Sequence, residues 1–399
     1  MLDAPCRQLN AAVRVALSWS VLFNSDIGQG MRTMKKHWWL ALLAALAVVG
    51  CSPKTPIRVG FIGGLSDRGS DVGEGGRNGL MLAIEQRNAA GGILGRPIEL
   101  LVQDDGQNSV QAMEAARALV DANVDVVVGP FTSAMTAAVL PQMNQARVTI
   151  ISPTIAGEEF VGKDDYLFRI NAAAVTNAGN YAQMLKLRGV HTVGLVYDLD
   201  NRKFTESWSK AFEAAFVSTG GRVVAAVPFE SSREPAFGAL VAKALAGKPD
   251  GMVFVATPVD TARLAQQSSK MAPGLAMATS EWAASENLLE LGGPAVEGML
   301  TLRVYNRDDP SERTCLFLEA YQARFSRAPG DSAVAAYDAA TALMEALVRK
   351  SSGESLKEAL VRYGPFEGLQ QPILFDANGD TNRTMYFTEI RAGRYALVK

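Results

Sequence analysis

The feature that most constrains this fold is a regular alternation of β-branched runs and amphipathic helical segments, which begins at Ile57. The runs read mostly apolar rather than alternating between apolar and polar residues, as is typical of parallel strands covered on both faces. They are IRVGFI, PIELLVQDD, VDVVVGP, VTIISP, HTVGLVYD, RVVAAVPF, GMVFVAT and LAMATS. Because there are more strand–helix units than one sheet usually holds, we predict an α/β protein with two doubly wound parallel-sheet lobes.

The first repeat predicts a strand, then a glycine-rich loop containing GEGGRNG, then a helix at about residues 78–88. This loop is no nucleotide motif, since Asn78 interrupts G-x-G-x-x-G and the P-loop lysine is absent. Near the C-terminus the pattern predicts two strand-like runs around an Asn-Gly turn. Three helices are predicted before them, at about residues 313–327, 332–349 and 354–362.

Composition argues against several classes of function. The formal net charge is −2 and the basic residues are scattered, so no nucleic-acid partner is expected. Of the two histidines, His37 and His191, the second precedes its strand and so lies away from the edge where clefts form. Asp104 and Asp105 are adjacent on a strand and point in opposite directions, which disfavours an acid–base pair. We expect no enzymatic activity, no metal and no cofactor.

The front of the chain is expected to be a targeting segment. KKHWWLALLAALAVVGCS has two lysines before about a dozen apolar residues, which suits a signal-peptide core and is short for a bilayer span. VVG before Cys51 resembles a bacterial lipobox, in which the cysteine is lipidated and becomes the mature N-terminus. An ordinary cleaved signal and an uncleaved anchor are alternatives. The residue after the cysteine is Ser52 rather than an aspartate. By resemblance to enterobacterial lipoproteins, this residue favours anchoring in the outer membrane.

Three segments therefore precede the folded part: a leader or over-called start at 1–30, a lipoprotein signal peptide at 31–50 and a tether at 51–56. The cysteines are too few and too scattered for a disulfide framework. One of them, Cys315, falls in a helical pattern and is expected to be a small buried residue.

Several motifs follow one another in a fixed order: NAAGGILGRPIEL with DD, VVVGPFTS, IISPTIAG, FRI, VYDLDN, SEWAASENLLELGGPAVEGML and FDANGD. Each is weak alone, but the ordered set resembles the branched-chain amino-acid-binding proteins of ABC importers, which have the type I periplasmic binding fold. The resemblance covers roughly residues 57–390. It implies two lobes joined by three crossover segments, with a ligand in the cleft between them.

The resemblance also implies boundaries and partners. Crossovers are expected near Asn171, Arg303 and Thr381. The lobes are expected at 57–170 plus 303–380 and at 171–302 plus 381–399. The expected partners are a small amino-acid-like carboxylate and an ABC permease of the inner membrane, with the protein periplasmic and held to a bacterial membrane by its lipid. Some family members carry a disulfide where Gln107 and Thr132 stand here.

Two uncharged turns follow predicted strands, GPFTS at 129–133 and SPTIAG at 152–157. Ligands of open α/β sheets bind beyond the carboxyl ends of the strands. A helix is predicted from Ser133, and the first N–H groups of a helix lack intrahelical partners. Such groups with a nearby hydroxyl bind an anion without any cationic side chain, so a ligand carboxylate fits. Alternatively, Ser133 and Thr154 only cap helices.

The resemblance assigns roles to these turns. Ser133 stands at the carboxylate-binding serine of the family, and Thr154 at a position whose backbone meets the ligand. Ala156 replaces a threonine of many amino-acid binders, so either Thr154 supplies the missing hydroxyl or the ligand is not a standard α-amino acid. Glu281 matches the acid that accepts from a ligand ammonium, the alternative being a solvated loop carboxylate.

Aromatic ligand contacts of the family are reduced here. Phe204 stands near a ligand-facing tyrosine and Thr257 near another aromatic contact, while a third is missing near residues 70–72. Trp282 either walls the pocket or lies within the second lobe. Two functions therefore stay open: a solute-binding protein of an ABC importer, or a lipoprotein of the same fold that acts as a sensor or protein-interaction regulator, for example of cell-wall synthesis, without transport.

Overall fold

The computed structural model describes residues 54–66 and 70–398. The predicted lipidation site Cys51, the predicted leader and the predicted signal peptide lie outside the described residues. Within the described part, no helix combines the length and apolar character that a membrane crossing requires.

One lobe is built on a five-stranded parallel sheet with the order β2-β1-β3-β4-β5. Its strands are β1 (Ile57–Gly63), β2 (Ile98–Asp104), β3 (Val126–Val128), β4 (Thr149–Ser152) and β5 (Leu167–Arg169). The helices between them are α1 (Ser70–Ala89), α2 (Ser109–Asp121) and α3 (Ser133–Ala146). Because β1 pairs with β2 on one side and β3 on the other, the strand order reverses at β1. Such a reversal opens a crevice at the carboxyl ends of the strands.

The second lobe is built on a seven-stranded sheet with the order β14-β13-β10-β9-β8-β6-β7. Its strands are β6 (Thr192–Asp198), β7 (Arg222–Phe229), β8 (Gly251–Val255), β9 (Ala276–Thr279), β10 (Leu300–Arg303), β13 (Tyr386–Arg391) and β14 (Arg394–Leu397). Its helices are α4 (Ala174–Leu187), α5 (Arg202–Ser218), α6 (Phe237–Leu245), α7 (Pro258–Met271) and α8 (Glu286–Gly292). The sheet is parallel except at β13 and β14, which run antiparallel to their neighbours.

The segment between β10 and β13 returns to the first sheet. It contains α9 (Glu312–Phe325), α10 (Asp331–Arg349), α11 (Leu356–Arg362), β11 (Phe366–Glu367) and β12 (Pro372–Ile373). Leu343 and Phe366 share a buried core with Phe61 and Val128 of the first sheet. The two strand-like runs near the C-terminus therefore belong to different sheets, since β12 pairs with β11 and β13 pairs with β10. Cys315 is buried on α9.

The glycine-rich stretch forms part of α1, and the prediction of a loop there was wrong. A Cβ at Gly79 would lie 2.1 Å from the Ala333 carbonyl oxygen, and one at Gly76 would lie 2.0 Å from the Phe131 ring. Glycine lowers helix propensity, but here it lets α1 approach its neighbours more closely than any other residue would. Tertiary packing thus overrides the local preference.

The chain passes between the lobes three times: after β5, after β10 and before β13. A largely buried arginine–aspartate pair lies at each passage, with each arginine side chain no more than 8% exposed. The pairs and their nitrogen–oxygen distances are Arg169–Asp380 (2.7 Å), Arg303–Asp331 (2.5 Å) and Arg383–Asp338 (2.6 Å). The lobe boundaries assigned from the sequence remain a proposal, which these passages support.

Gly79→Ala is expected to destabilise the protein by about 1–3 kcal/mol, because the new methyl group overlaps the backbone of α10. Gly179→Ala is the matched control, since Gly179 lies within α4 and a Cβ there meets no atom within 4 Å. This control is expected to stabilise by about 0.5–1 kcal/mol through helix propensity. Urea denaturation measures both changes, and equal shifts of the two variants would contradict the packing argument.

Asp338→Ala is expected to cost about 3–5 kcal/mol of unfolding free energy, because it leaves Arg383 buried without its carboxylate. Glu99→Ala removes the partner of Arg58 in a pair whose side chains are 50% and 44% exposed. This second change is expected to cost less than about 1 kcal/mol. Denaturant titration separates the two cases, and a loss at Asp338 as small as that at Glu99 would be inconsistent with a structural role for the buried pair.

Candidate functional site

A cleft between the lobes contains about 580 Å³ of space that no protein atom occupies, a volume that includes solvent at its open side. Residues that follow strands of both sheets line it. Five of the six residues singled out from the sequence do so: Ser133, Thr154, Ala156, Phe204 and Glu281. No lysine or arginine occurs among the described residues that line the cleft.

Thr257, the sixth residue, is not among the described residues that line the cleft. It occupies the N-cap position of α7, where its hydroxyl accepts a hydrogen bond from the Asp260 N–H at 3.2 Å. A Ser or Thr after a strand serves equally well as a helix cap or a ligand contact, and here the structure makes it a cap.

Ser133 is the first residue of α3 and is buried. Its Oγ accepts a hydrogen bond from the Gly157 N–H at 3.2 Å and so joins the two uncharged turns. The cap position itself belongs to Thr132, which makes no side-chain cap hydrogen bond. A hydroxyl that accepts one bond still has its own proton to donate. Ser133 is therefore a linking residue with a donor available, rather than a helix cap.

Thr132 instead donates its hydroxyl proton to Gln107 Oε1 at 2.9 Å. The amide of Gln107 in turn donates to Asp105 Oδ1 at 3.0 Å. Polar side chains thus connect the turn after β2 to the turn after β3. Hydrogen bonds thus connect the two positions, Gln107 and Thr132, at which the resemblance implied a disulfide in some family members.

The Thr154 hydroxyl donates to the Phe131 carbonyl at 2.6 Å. The carbonyl of Thr154 accepts from Asn171 Nδ2 at 3.2 Å. Because the hydroxyl proton is already engaged, Thr154 does not supply the donor that is missing at Ala156. Ala156 presents only a methyl group and is 1% exposed. Ser133 is therefore the hydroxyl of these two turns that lines the cleft and still has a proton to donate.

Glu281 begins the short helical turn Glu281–Ala283 that follows β9. It is 9% exposed and so is not a solvated loop carboxylate. Its Oε1 accepts from Asn177 Nδ2 at 2.8 Å, and its Oε2 accepts from Trp208 Nε1 at 3.1 Å. Burial raises the pKa of Glu281, while the hydrogen bond from Asn177 acts in the opposite direction. A ligand cation would favour the ionised carboxylate, since opposite charges stabilise each other.

Phe204 of α5 and Trp282 form an edge-to-face pair in the cleft wall, with ring centroids 6.0 Å apart and planes at 83°. Trp282 also packs against the buried core of the second lobe. Trp282 therefore lines the cleft and also packs within the second lobe, so the two alternatives predicted from the sequence are not exclusive.

The sequence analysis missed one part of the wall, formed by Ser285 of the second lobe with Asp331 and Ser332 at the start of α10. Asp331 Oδ1 accepts from Arg303 Nε at 2.5 Å, and its Oδ2 accepts from the Val304 N–H at 3.0 Å. Asp331 and Ser332 carry no local motif, and they reach the cleft because α10 returns to the first lobe, which no short-range pattern indicates. Ser285 follows the turn that contains Glu281 and Trp282.

Two parallel-sheet lobes with a lined cleft between them define a two-lobed ligand-binding protein. The sequence matches the periplasmic binding protein family over residues 56–394. The chain therefore belongs to this family, and the resemblance inferred from its ordered motifs is confirmed. Its relatives are binding receptors and not enzymes, and the family is extracytoplasmic.

Individual proteins are similar over the same span. A leucine-, isoleucine-, valine-, threonine- and alanine-binding protein of Pseudomonas aeruginosa is 24% identical over 352 residues, which cover 85% of this chain and 92% of that protein. A branched-chain amino acid binding protein of Streptococcus pneumoniae with isoleucine superimposes with a TM-score of 0.79 at 24% identity, covering 86% and 98% of the two chains. A solute-binding protein of R. palustris with benzoate gives 0.76 at 19% identity, covering 86% and 95%.

Glu281→Gln is expected to change how stability depends on pH. Because burial raises the pKa of Glu281 in the fold, the stability it contributes is present below the ordinary pKa of a glutamate and is lost as pH rises through the folded value. Glutamine does not titrate, so the variant should gain stability relative to wild type as pH rises. Urea denaturation across this range measures the difference, and parallel profiles would contradict the assignment.

Proposed function

We propose that this protein is a solute-binding protein of an ABC importer that captures a small carboxylate, an amino acid or a related compound, in the cleft. One observation carries the proposal. The Ser133 hydroxyl from the first lobe and the Glu281 carboxylate from the second lobe line one cleft, and none of the described residues that line it is a lysine or an arginine. Such a cleft suits a carboxylate held by neutral donors, with an acid left for an amino group.

The ligands named for similar proteins support the carboxylate. The P. aeruginosa relative is named for five amino acids, and the two solved structures contain isoleucine and benzoate. All of these ligands carry a carboxylate, whereas benzoate has no amino group. The carboxylate is thus the group that these ligands share. We expect ligands of this family to differ in the part that lies near Glu281.

A ligand held by both lobes would favour the closed arrangement, because only that arrangement provides both sets of contacts. The three passages between the lobes are the segments that would bend. We further propose that Cys51 carries a lipid that anchors the protein in the periplasm, at the outer membrane, and that an ABC permease receives the ligand.

The second candidate function is that of a sensor or protein-interaction regulator without transport. Its support is the reduced set of carboxylate donors: Ala156 offers a methyl group, and the Thr154 hydroxyl is engaged with the Phe131 carbonyl. A cleft with fewer donors holds a carboxylate less tightly, which suits a protein whose cleft no longer serves solute capture.

A thermal-shift screen of the purified protein against amino acids, amides, short-chain acids and aromatic acids tests the proposal. A ligand at a hundred times its dissociation constant stabilises the fold by about 2.7 kcal/mol. We expect at least one carboxylate to raise the melting temperature, and Ser133→Ala and Glu281→Ala to abolish that shift. Thr257→Ala is the control and should retain it, since Thr257 caps α7 away from the lining. A flat response across the panel would favour the second function.

A further inference from the structure

Ser285 is one of the described residues that line the cleft. It occupies the N-cap position of α8 but makes no side-chain cap hydrogen bond. Its Oγ is buried and has no hydrogen-bond partner among the described residues. The backbone around it is fixed, because its N–H donates to the Ala283 carbonyl at 2.8 Å and its carbonyl accepts from the Tyr395 hydroxyl at 2.7 Å. Buried hydroxyls usually find a partner, so this one points to a ligand.

A second hydroxyl comes from the other lobe. Ser332, in the first turn of α10, lines the cleft and is 8% exposed. It makes no side-chain hydrogen bond within the described part of the chain. The two serines belong to neighbouring segments, since a Cβ on Gly330 would lie 4.0 Å from the Ser285 Cα. Gly75 leaves room for this hydroxyl, because a Cβ there would lie 2.6 Å from Ser332 Oγ.

The charge beside these serines is already neutralised. Asp331 lines the same wall, but Arg303 and the Val304 N–H occupy its two oxygens. What remains available is a pair of neutral hydroxyls. Neutral hydroxyls match a hydroxyl or an amide on the ligand better than a second ammonium group, whose charge they do not balance.

We propose that the ligand is an amino-acid-like carboxylate whose side chain carries a neutral hydrogen-bonding group, a hydroxyl or an amide, and that Ser285 and Ser332 read that group. This inference rests on the proposed function, in which the cleft holds a small carboxylate. A site built to hydrogen-bond a substrate group strongly rejects the isostere that lacks the group, because the polar atoms of the site are then left unpaired. The cleft therefore discriminates against branched aliphatic side chains.

Isosteric ligand pairs test this proposal. Isothermal titration of the purified protein compares L-threonine with L-valine and L-asparagine with L-leucine. We expect the polar member of at least one pair to bind about ten-fold or more tightly than its apolar isostere. Ser285→Ala and, separately, Ser332→Ala should bring that ratio toward one while binding of the apolar member is kept. Ser280→Ala is the matched control: Ser280 Oγ is also buried and unpartnered, but the residue is not among those lining the cleft, so the ratio should not change.

The outcomes separate this inference from the proposed function. Equal or tighter binding of valine and leucine overturns the inference and leaves carboxylate capture intact. The inference is also overturned if both serine variants still prefer the polar ligand, because other residues then hydrogen-bond to the ligand side chain. If neither these amino acids nor the acids of the thermal-shift panel bind, the proposed function itself fails.

Discussion

Three buried arginine–aspartate pairs hold the segments through which the chain passes between its lobes. Removing charges from water is costly, and such pairs persist only when further hydrogen bonds satisfy their oxygens. Here each aspartate also accepts from a backbone N–H: Asp331 from Val304, Asp338 from Leu369 and Asp380 from Gly162. The guanidinium of Arg303 additionally stacks on the Tyr395 ring, 4.0 Å from its centroid. The ends of both sheets are thereby positioned relative to each other, and the cleft depends on that positioning.

Within this frame the site separates two kinds of polar chemistry. The first lobe contributes an uncharged donor, the Ser133 hydroxyl, while the second contributes one acid, Glu281, supported by Asn177 and Trp208. Neither contribution binds a zwitterion well alone, because each meets only one end of it. In the proposed function, ligand binding and lobe closure are therefore coupled, because the ligand contacts both lobes only in the closed arrangement.

The departures from prediction follow from packing between distant segments. Glycines between residues 73 and 79 read as a loop because glycine is a poor helix former, yet they lie in α1 because neighbouring atoms leave no room for a Cβ. Thr257 resembled a ligand contact by position, and its hydroxyl caps a helix. Thr154 lines the cleft, but only the tertiary structure shows that its hydroxyl donates to the Phe131 carbonyl. Short-range patterns do not encode which acceptor a hydroxyl meets.

The sequence alone determined the α/β class, the two-lobed repeat and a part of the cleft lining, including Ser133 and Glu281. It did so because apolar runs and turns after strands are local properties, and because parallel strands direct their carboxyl ends to a common edge. The tertiary structure decided the return of α10 to the first lobe, which brings the start of that helix near Ser285 and places Ser332 in the lining of the same cleft. It also decided the buried pairs at the passages, such as Arg303 with Asp331. Contacts between residues far apart in the chain depend on how whole elements pack, and no local pattern of side chains specifies that arrangement.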